Sequence, residues 1–230
     1  MQHEEILKRL KSQSNPVAVA SMARFGINPQ NTYGVSIPDL RKLAKETGRN
    51  HILSQQLWAS GIHEARILAT MIDSPKEVTE EQMDRWIKDI DSWDICDQCC
   101  NNLFGKTAFA CQKAAEWSSR EEEFIKRAGF VLMACLAIHD KKADDKQFER
   151  FLPIIKREAA DNRNLVAKAV NWALRQIGKR NLTLNRKAIE AAKEAQKTDS
   201  RSAKWIASDA IRELTSEAVQ KRLHKNHQRI

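Results

Sequence analysis

Two pairs of residues in the stretch DSWDICDQCCNNLF, residues 91–104, have the spacing of a working site. Cys96 and Cys99 form a CxxC, the spacing of half a zinc site or of a redox dithiol. Trp93 and Asp97 stand four apart, which on a helix sets an indole and a carboxylate on one face. The cysteine pair lacks company. A structural zinc site needs two more ligands at comparable spacing, yet Cys111 and Cys135 are isolated and the histidines are scattered at 3, 51, 63, 139, 224 and 227. A thioredoxin-like dithiol belongs in a βαβ setting, which this sequence does not offer. His63-Glu64 lacks the later histidine of a metalloprotease motif. The expectation is no metal and no cofactor, with the cysteines packed as small apolar side chains in a helical core. Trp93 and Asp97 stay open between an active-site pair and a plainer reading, core indole with cap or surface ion pair. Asp94, offset from them, suits the helix N-terminus.

Cations supply the other candidates. Arg127 opens the most apolar segment, RAGFVLMACLAIH, where a guanidinium calls for a carboxylate or phosphate unless it reaches water at the helix end. Residues 163–187 carry Arg163, Lys168, Arg175, Lys179, Arg180, Arg186 and Lys187 and no acid. On a helix, Lys168, Trp172, Arg175 and Lys179 share one face, while Val166, Ala169, Val170, Ala173 and Ile177 can enter the core. Cations around an indole suit a phosphate backbone with its adjacent base or sugar. The alternative is a solvated basic face with Trp172 partly packed under lysine stems. The tail repeats the theme with Arg201, Lys204 and Trp205, then Lys221, Arg222, Lys225 and Arg229, diluted by Asp209, Glu213 and Glu217.

Helices must position these groups. Glycine and proline are scarce, at 7 and 5, and fall at breaks such as NPQNTYGVSIPDL and DSP. Between breaks the apolar residues recur at three and four, as in Leu40, Leu43, Ala44 and in Trp86, Ile87, Ile90. Alternation of the strand type is nearly absent. Ser36 ahead of Pro38-Asp39, and Thr79 with Gln82 three residues on, read as helix starts. Successive helix pairs of roughly 35–45 residues predict an all-α, HEAT-like α-solenoid of stacked antiparallel pairs with a concave basic face, a compact bundle being the alternative. No linker or shift of composition divides residues 1–230, which reads as a single domain; HDKKADDK at 139–146 is a short polar connection.

Composition agrees with a soluble protein whose partner is a polyanion. Hydrophobic residues make up 42% and charged residues 30% of the 230, with a net charge of +9, which puts nucleic acid first among partners. No apolar run reaches the roughly 18 residues of a membrane span, and the N-terminus has no signal-peptide pattern. Five cysteines, an odd and crowded set, fit a reducing compartment. The expected location is cytoplasmic, or nucleoid-associated in a bacterium.

The segments SWDICD, KRAGFVLMACLAIHDK, RNLVAKAVNWALRQIGKRN and RSAKWIASDAIREL, in that order, resemble the AlkD-type DNA alkylation repair glycosylases. The resemblance runs from about YGVSIPDLRKLAK to DAIREL. It implies a HEAT-like solenoid holding duplex DNA with alkylated purines, and release of N3- or N7-alkylated purines that carry a positive charge. It places the catalytic aspartate on Asp97 and its tryptophan on Trp93, the arginine on Arg127 (Lys126 being the neighbouring candidate) and the second tryptophan on Trp172. Lys168, Arg175, Lys179, Arg180, Arg163 and Lys204 are the expected DNA-binding cations. No obligate protein partner is implied. A cationic purine leaves without protonation, so no general acid is required, in keeping with the absence of histidine near the motif. The carboxylate would stabilise an oxocarbenium-like sugar and guide water. The resemblance also implies a base left stacked, consistent with a sequence that advertises no aromatic-lined pocket. Two other readings remain: a HEAT-like DNA-binding protein without catalysis, and a protein-interaction scaffold.

Overall fold

The computed structural model describes residues 2–227, and every regular element among them is a helix. The chain divides into two compact units, Met1–Ala108 and Phe109–Ile230. No linker announces this division in the sequence, and the boundary falls in an ordinary interhelical connection.

Unit 1 contains α1 (His3–Ser12), α2 (Pro16–Arg24), α3 (Ile37–Thr47), α4 (His51–Ala59), α5 (His63–Ile72), α6 (Glu80–Lys88), α7 (Trp93–Asn102) and a single 3-10 turn at Phe104–Lys106. Asn15, Ser36, Asn50 and Thr79 each accept the backbone N–H three residues on, and Pro16 and Pro38 occupy first-turn positions where no N–H is needed. The starts at Ser36 and Thr79 are thus as the sequence predicts. The Gln82 amide, however, reaches out to Asp73 Oδ2 at 2.8 Å. Leu40, Leu57, Leu68 and Met83 fill the core beside a parallel stack of Trp58 on Trp86, whose ring centroids are 4.0 Å apart. Buried pairs such as Leu40 with Leu43 and Met83 with Trp86 lie three apart, so these helices have one face to bury.

Unit 2 contains α8 (Ala110–Trp117), α9 (Glu123–His139), α10 (Asp145–Glu149), α11 (Phe151–Glu158), α12 (Asn164–Gly178), α13 (Leu182–Gln196), α14 (Arg201–Leu214) and α15 (Glu217–His227). From Ile125 to Ala137, α9 is buried without interruption, as its apolar circumference demands. It packs on α8 and α12, and α12 packs in turn on α13 and α14. The approach of α8 to α9 depends on Gly129, where a Cβ would lie 2.3 Å from the Ser118 backbone nitrogen. In each unit, helices neighbouring in sequence pair and then pack on the next pair, which is the arrangement of a stacked-repeat fold. No helix among the described residues is long and apolar enough to cross a membrane. Arg229 of the basic tail lies outside the described residues.

Candidate active site

A cleft of about 470 Å³ in unit 1 is lined by Trp93, Asp94, Asp97 and Gln98 of α7, His63 and Ile67 of α5, and apolar residues of α2, α3 and the connection between them. That connection, residues 25–36, has no helix or strand to hold its shape, so side chains do. Glu64, buried, collects three consecutive backbone N–H groups: Tyr33 donates to Oε2 at 2.9 Å, and Gly34 and Val35 donate to Oε1 at 2.6 and 3.2 Å. A buried carboxylate is costly without partners, and a ring of amide donors is what makes it tolerable. Gly34 has a positive φ of 78°, and a Cβ there would meet the Asn15 carbonyl oxygen at 2.5 Å, so no other residue fits. The His63 amide donates to the Asn31 carbonyl at 3.0 Å.

The same connection fixes the start of α7. The Asn28 amide nitrogen donates to Ser92 Oγ at 2.9 Å, its side chain donates to Asp91 Oδ2 at 2.7 Å, and Trp93 Nε1 donates to the Phe25 carbonyl at 3.0 Å. With its N–H tied down, the Trp93 indole has a set plane one helical turn from Asp97, and both side chains are half-buried. Asp94 serves the helix start as expected, accepting the Ile95 N–H at 3.0 Å. Its other oxygen accepts from His63 Nε2 at 2.9 Å. A carboxylate only accepts, so Nε2 carries a proton.

One expectation from the sequence is corrected here. The absence of histidine near the motif does not survive folding, because His63, thirty residues upstream, is 3% exposed and lines the same cleft. Sequence spacing reports neighbours on one helix and is blind to α5 meeting α7. The cysteines behave as expected. Cys96, Cys99 and Cys100 are thiols buried on the core side of α7, and burial pushes the Cys99 thiol well above its ordinary range, which keeps it protonated and inert. Among the described residues no cluster of three His, Cys, Asp or Glu side chains could hold a metal.

Arg127 and Trp172 lie in unit 2. Arg127 does not open its helix: α9 begins four residues earlier, and the guanidinium is 6% exposed, with Nη1 donating to the Leu165 carbonyl at 2.6 Å. Lys126 is bound to Glu158 at 2.8 Å and Asp161 at 3.4 Å. Burial alone would lower its pKa, but these two carboxylates prevail and raise it, so Lys126 is a fixed structural cation. Trp172 is half-buried; with the Gln176 amide turned to present its oxygen, it accepts from Trp172 Nε1 at 3.0 Å and Lys179 Nζ at 3.1 Å.

The cations of 163–187 meet acids that their own segment lacks. Arg175 pairs with Glu213 at 2.6 Å and Asp209 at 3.6 Å, and Lys179 pairs with Glu213 at 2.7 Å, all across to α14. Arg163 is engaged by Asp161 at 2.6 Å and donates to the Glu121 carbonyl. Arg180, also expected to bind DNA, is half-buried and engaged within its own unit. Its guanidinium lies 4.0 Å over the Phe148 ring and donates to the carbonyls of Ala137, Asp140 and Ala143, so it ties the α9–α10 connection down. Burial lowers its pKa. Lys204 pairs with Asp199 at 2.9 Å. Lys168 is exposed and forms no ion pair among the described residues.

Comparison with known proteins adds to this geometry. The model of the DNA alkylation repair enzyme family matches residues 6–214. The chain belongs to that family. Among solved structures, it matches one described as a new family of proteins related to the HEAT-like repeat DNA glycosylases with affinity for branched DNA structures. That match has a TM-score of 0.77 and 20% identity and covers 92% of this chain and 95% of the other. The fold of this DNA alkylation repair family member is thus of the HEAT-like repeat type, as the helix pairing predicts. A designed armadillo repeat protein in complex with the peptide (KR)4 matches at a TM-score of 0.33 and 15% identity, over 80% of this chain and 88% of that one, too low to bear on the fold. A search of curated proteins finds no match.

Proposed function

We propose that this member of the DNA alkylation repair family is a DNA glycosylase that releases positively charged N3- and N7-alkylated purines from duplex DNA. The observation that carries the reading is the pair Trp93 and Asp97, one turn apart in the wall of the unit 1 cleft, with the indole held by the Phe25 carbonyl. Alkylation makes the purine cationic, so the C1′–N bond breaks with its electron pair going to the base, which leaves neutral. Positive charge then develops on the sugar. The Asp97 carboxylate is the group to stabilise it and to orient the water that adds to C1′ and gives up a proton. The Trp93 face adds cation–π attraction, about 0.5–2 kcal/mol. The resemblance also implies Arg127 and Trp172, which lie in unit 2, and Lys168 heads the cations proposed for the backbone. Incubation of alkylated duplex DNA with the protein, followed by analysis of freed purines, tests the reading; no purine above the spontaneous rate rejects it.

A second reading is a DNA-binding protein without catalysis. The structural neighbour at TM-score 0.77, described by its affinity for branched DNA, favours it. A salt-sensitive affinity for DNA without base release would select it.

A further inference from the structure

The packing of α12 on α14 keeps a fixed register. Asn171 Nδ2 donates to Asp209 Oδ2 at 2.8 Å, and one turn on, Arg175 pairs with Glu213 at 2.6 Å. One turn in the other direction the same register sets Ala167 against Trp205. These two line a cleft of about 660 Å³ with Asn162, Asn164, Arg201 and Ser202. On α14 the buried side is Ala203, Ile206, Ala207 and Ala210, which leaves Trp205 on the outer face at 45% exposed. Because the residue opposite is alanine, nothing large covers the indole.

The surroundings of that indole define its ligand. Arg201 is exposed and, like Lys168, forms no ion pair among the described residues. Among the described residues the other exposed large apolar ones, Val17, Phe25 and Ile52, belong to unit 1, so there Trp205 is no part of an apolar patch in its own unit. A protein-docking surface needs such a patch. An exposed ring among amides, a hydroxyl and the unneutralised Arg201 instead suits a flat heteroaromatic group that carries an anion. The cleft is within the roughly 300–1,000 Å³ of small-ligand sites.

We infer that this cleft binds an unpaired nucleotide of DNA, its base stacked on Trp205 and its phosphate held by Arg201. In duplex DNA each base face is already covered by its neighbours, so only an unpaired base gains from the indole. The inference rests on the reading of the chain as a DNA-binding protein and is independent of whether it is a glycosylase.

The test compares labelled DNAs by fluorescence anisotropy at fixed salt: a blunt duplex, the same duplex with a single-stranded overhang, and one whose overhang is abasic. The parent protein should bind the overhang more tightly than the blunt end, and the abasic overhang should lose that advantage although its phosphates remain. Trp205→Ala should erase the advantage, a loss of about 5- to 150-fold for a stack of about 1–3 kcal/mol, and leave blunt-duplex affinity unchanged. Trp205→Phe keeps a flat face and should retain most of it. The inference is overturned if the parent shows no preference, if the abasic overhang binds as tightly as the intact one, or if Trp205→Ala weakens blunt and overhanging DNA equally. Purine release from alkylated blunt duplex, measured on the same proteins, separates the two readings. A parent that prefers overhangs but releases no purine sinks the glycosylase alone; a parent that releases purine without the preference sinks the stacking site alone.

Discussion

The cleft beside α7 and the seam between α12 and α14 use tryptophan and charge in opposite ways. In the cleft, the Trp93 ring is locked through its N–H, and Asp94 and Asp97 bring negative charge to apolar walls. In the seam, Trp205 is bare and positive charge is left over at one end, where Lys168 and Arg201 stand unpaired, while at the other end Asp209 and Glu213 neutralise Arg175 and Lys179. The first arrangement suits a cationic centre held still, the second an anionic strand that slides and stacks. Cations in a sequence are therefore a poor map of positive surface, because the acids that silence them come from another helix.

The largest expected effect breaks the cleft. Asp97→Asn keeps size and much of the hydrogen bonding but removes the charge that would face the sugar. On the scale of a lost oxyanion-hole donor, about 2.7–4 kcal/mol, purine release should fall about a hundred- to a thousandfold in single-turnover assays. DNA affinity should hold or rise, since a carboxylate near phosphates repels them. Release at the parent rate would remove Asp97 from the mechanism.

Glu64→Ala attacks the same cleft through its scaffold. Three backbone donors in the 33–35 segment would lose their acceptor inside the protein. At about 1–3 kcal/mol for each buried group left unmade, and with water recovering part, the loss should be on the order of 3 kcal/mol, read as a lower denaturation midpoint. A midpoint unchanged from the parent would mean that the connection is held by other interactions.

The seam is sharpened by comparing its two ends. Lys168→Glu with Arg201→Glu removes unpaired cations and should lower the slope of log affinity against log salt by about two, roughly 0.9 for each phosphate left without its cation. Arg175→Glu with Lys179→Glu removes cations already neutralised, and should cost more in thermal stability than in salt slope. Equal slopes for both doubles would return the DNA surface to the whole 163–187 block.

What the sequence made legible follows the reach of helical spacing. Trp93 with Asp97, the buried side of Cys96 and Cys99, and the caps at Ser36 and Thr79 are all relations within one helix or one turn, and periodicity reports those directly. The spacing of successive helix pairs pointed to the fold's repeat type, and the resemblance to a known family implied the same. His63 beside Asp94, the Glu64 clamp and Glu213 between two cations are relations across helices, separated by about thirty residues or more, and no local pattern contains them. Trp205 shows the middle case. Its place beside Arg201 and Lys204 is plain along the chain, but the alanine opposite it in the cleft lies on α12.

The smallest expected effect concerns Glu213, the acid that makes the two ends of the seam differ. Burial pushes its carboxyl up, but the hydrogen bonds and charges of Lys179 and Arg175 outweigh this and hold it below its ordinary 4.5. A depressed carboxylate contributes stability above that ordinary value, and the contribution disappears as pH falls through the lower folded value. Glu213→Gln should therefore melt below the parent at neutral pH, by on the order of 1 kcal/mol for such a part-buried pair, and the gap should close in acid. The same substitution releases Lys179 and leaves Arg175 to Asp209 alone, so at neutral pH duplex affinity should rise and the salt slope should steepen by about one. An unchanged slope would mean that these cations do not face the strand even when released, leaving Lys168 and Arg201 as the seam's whole hold on DNA.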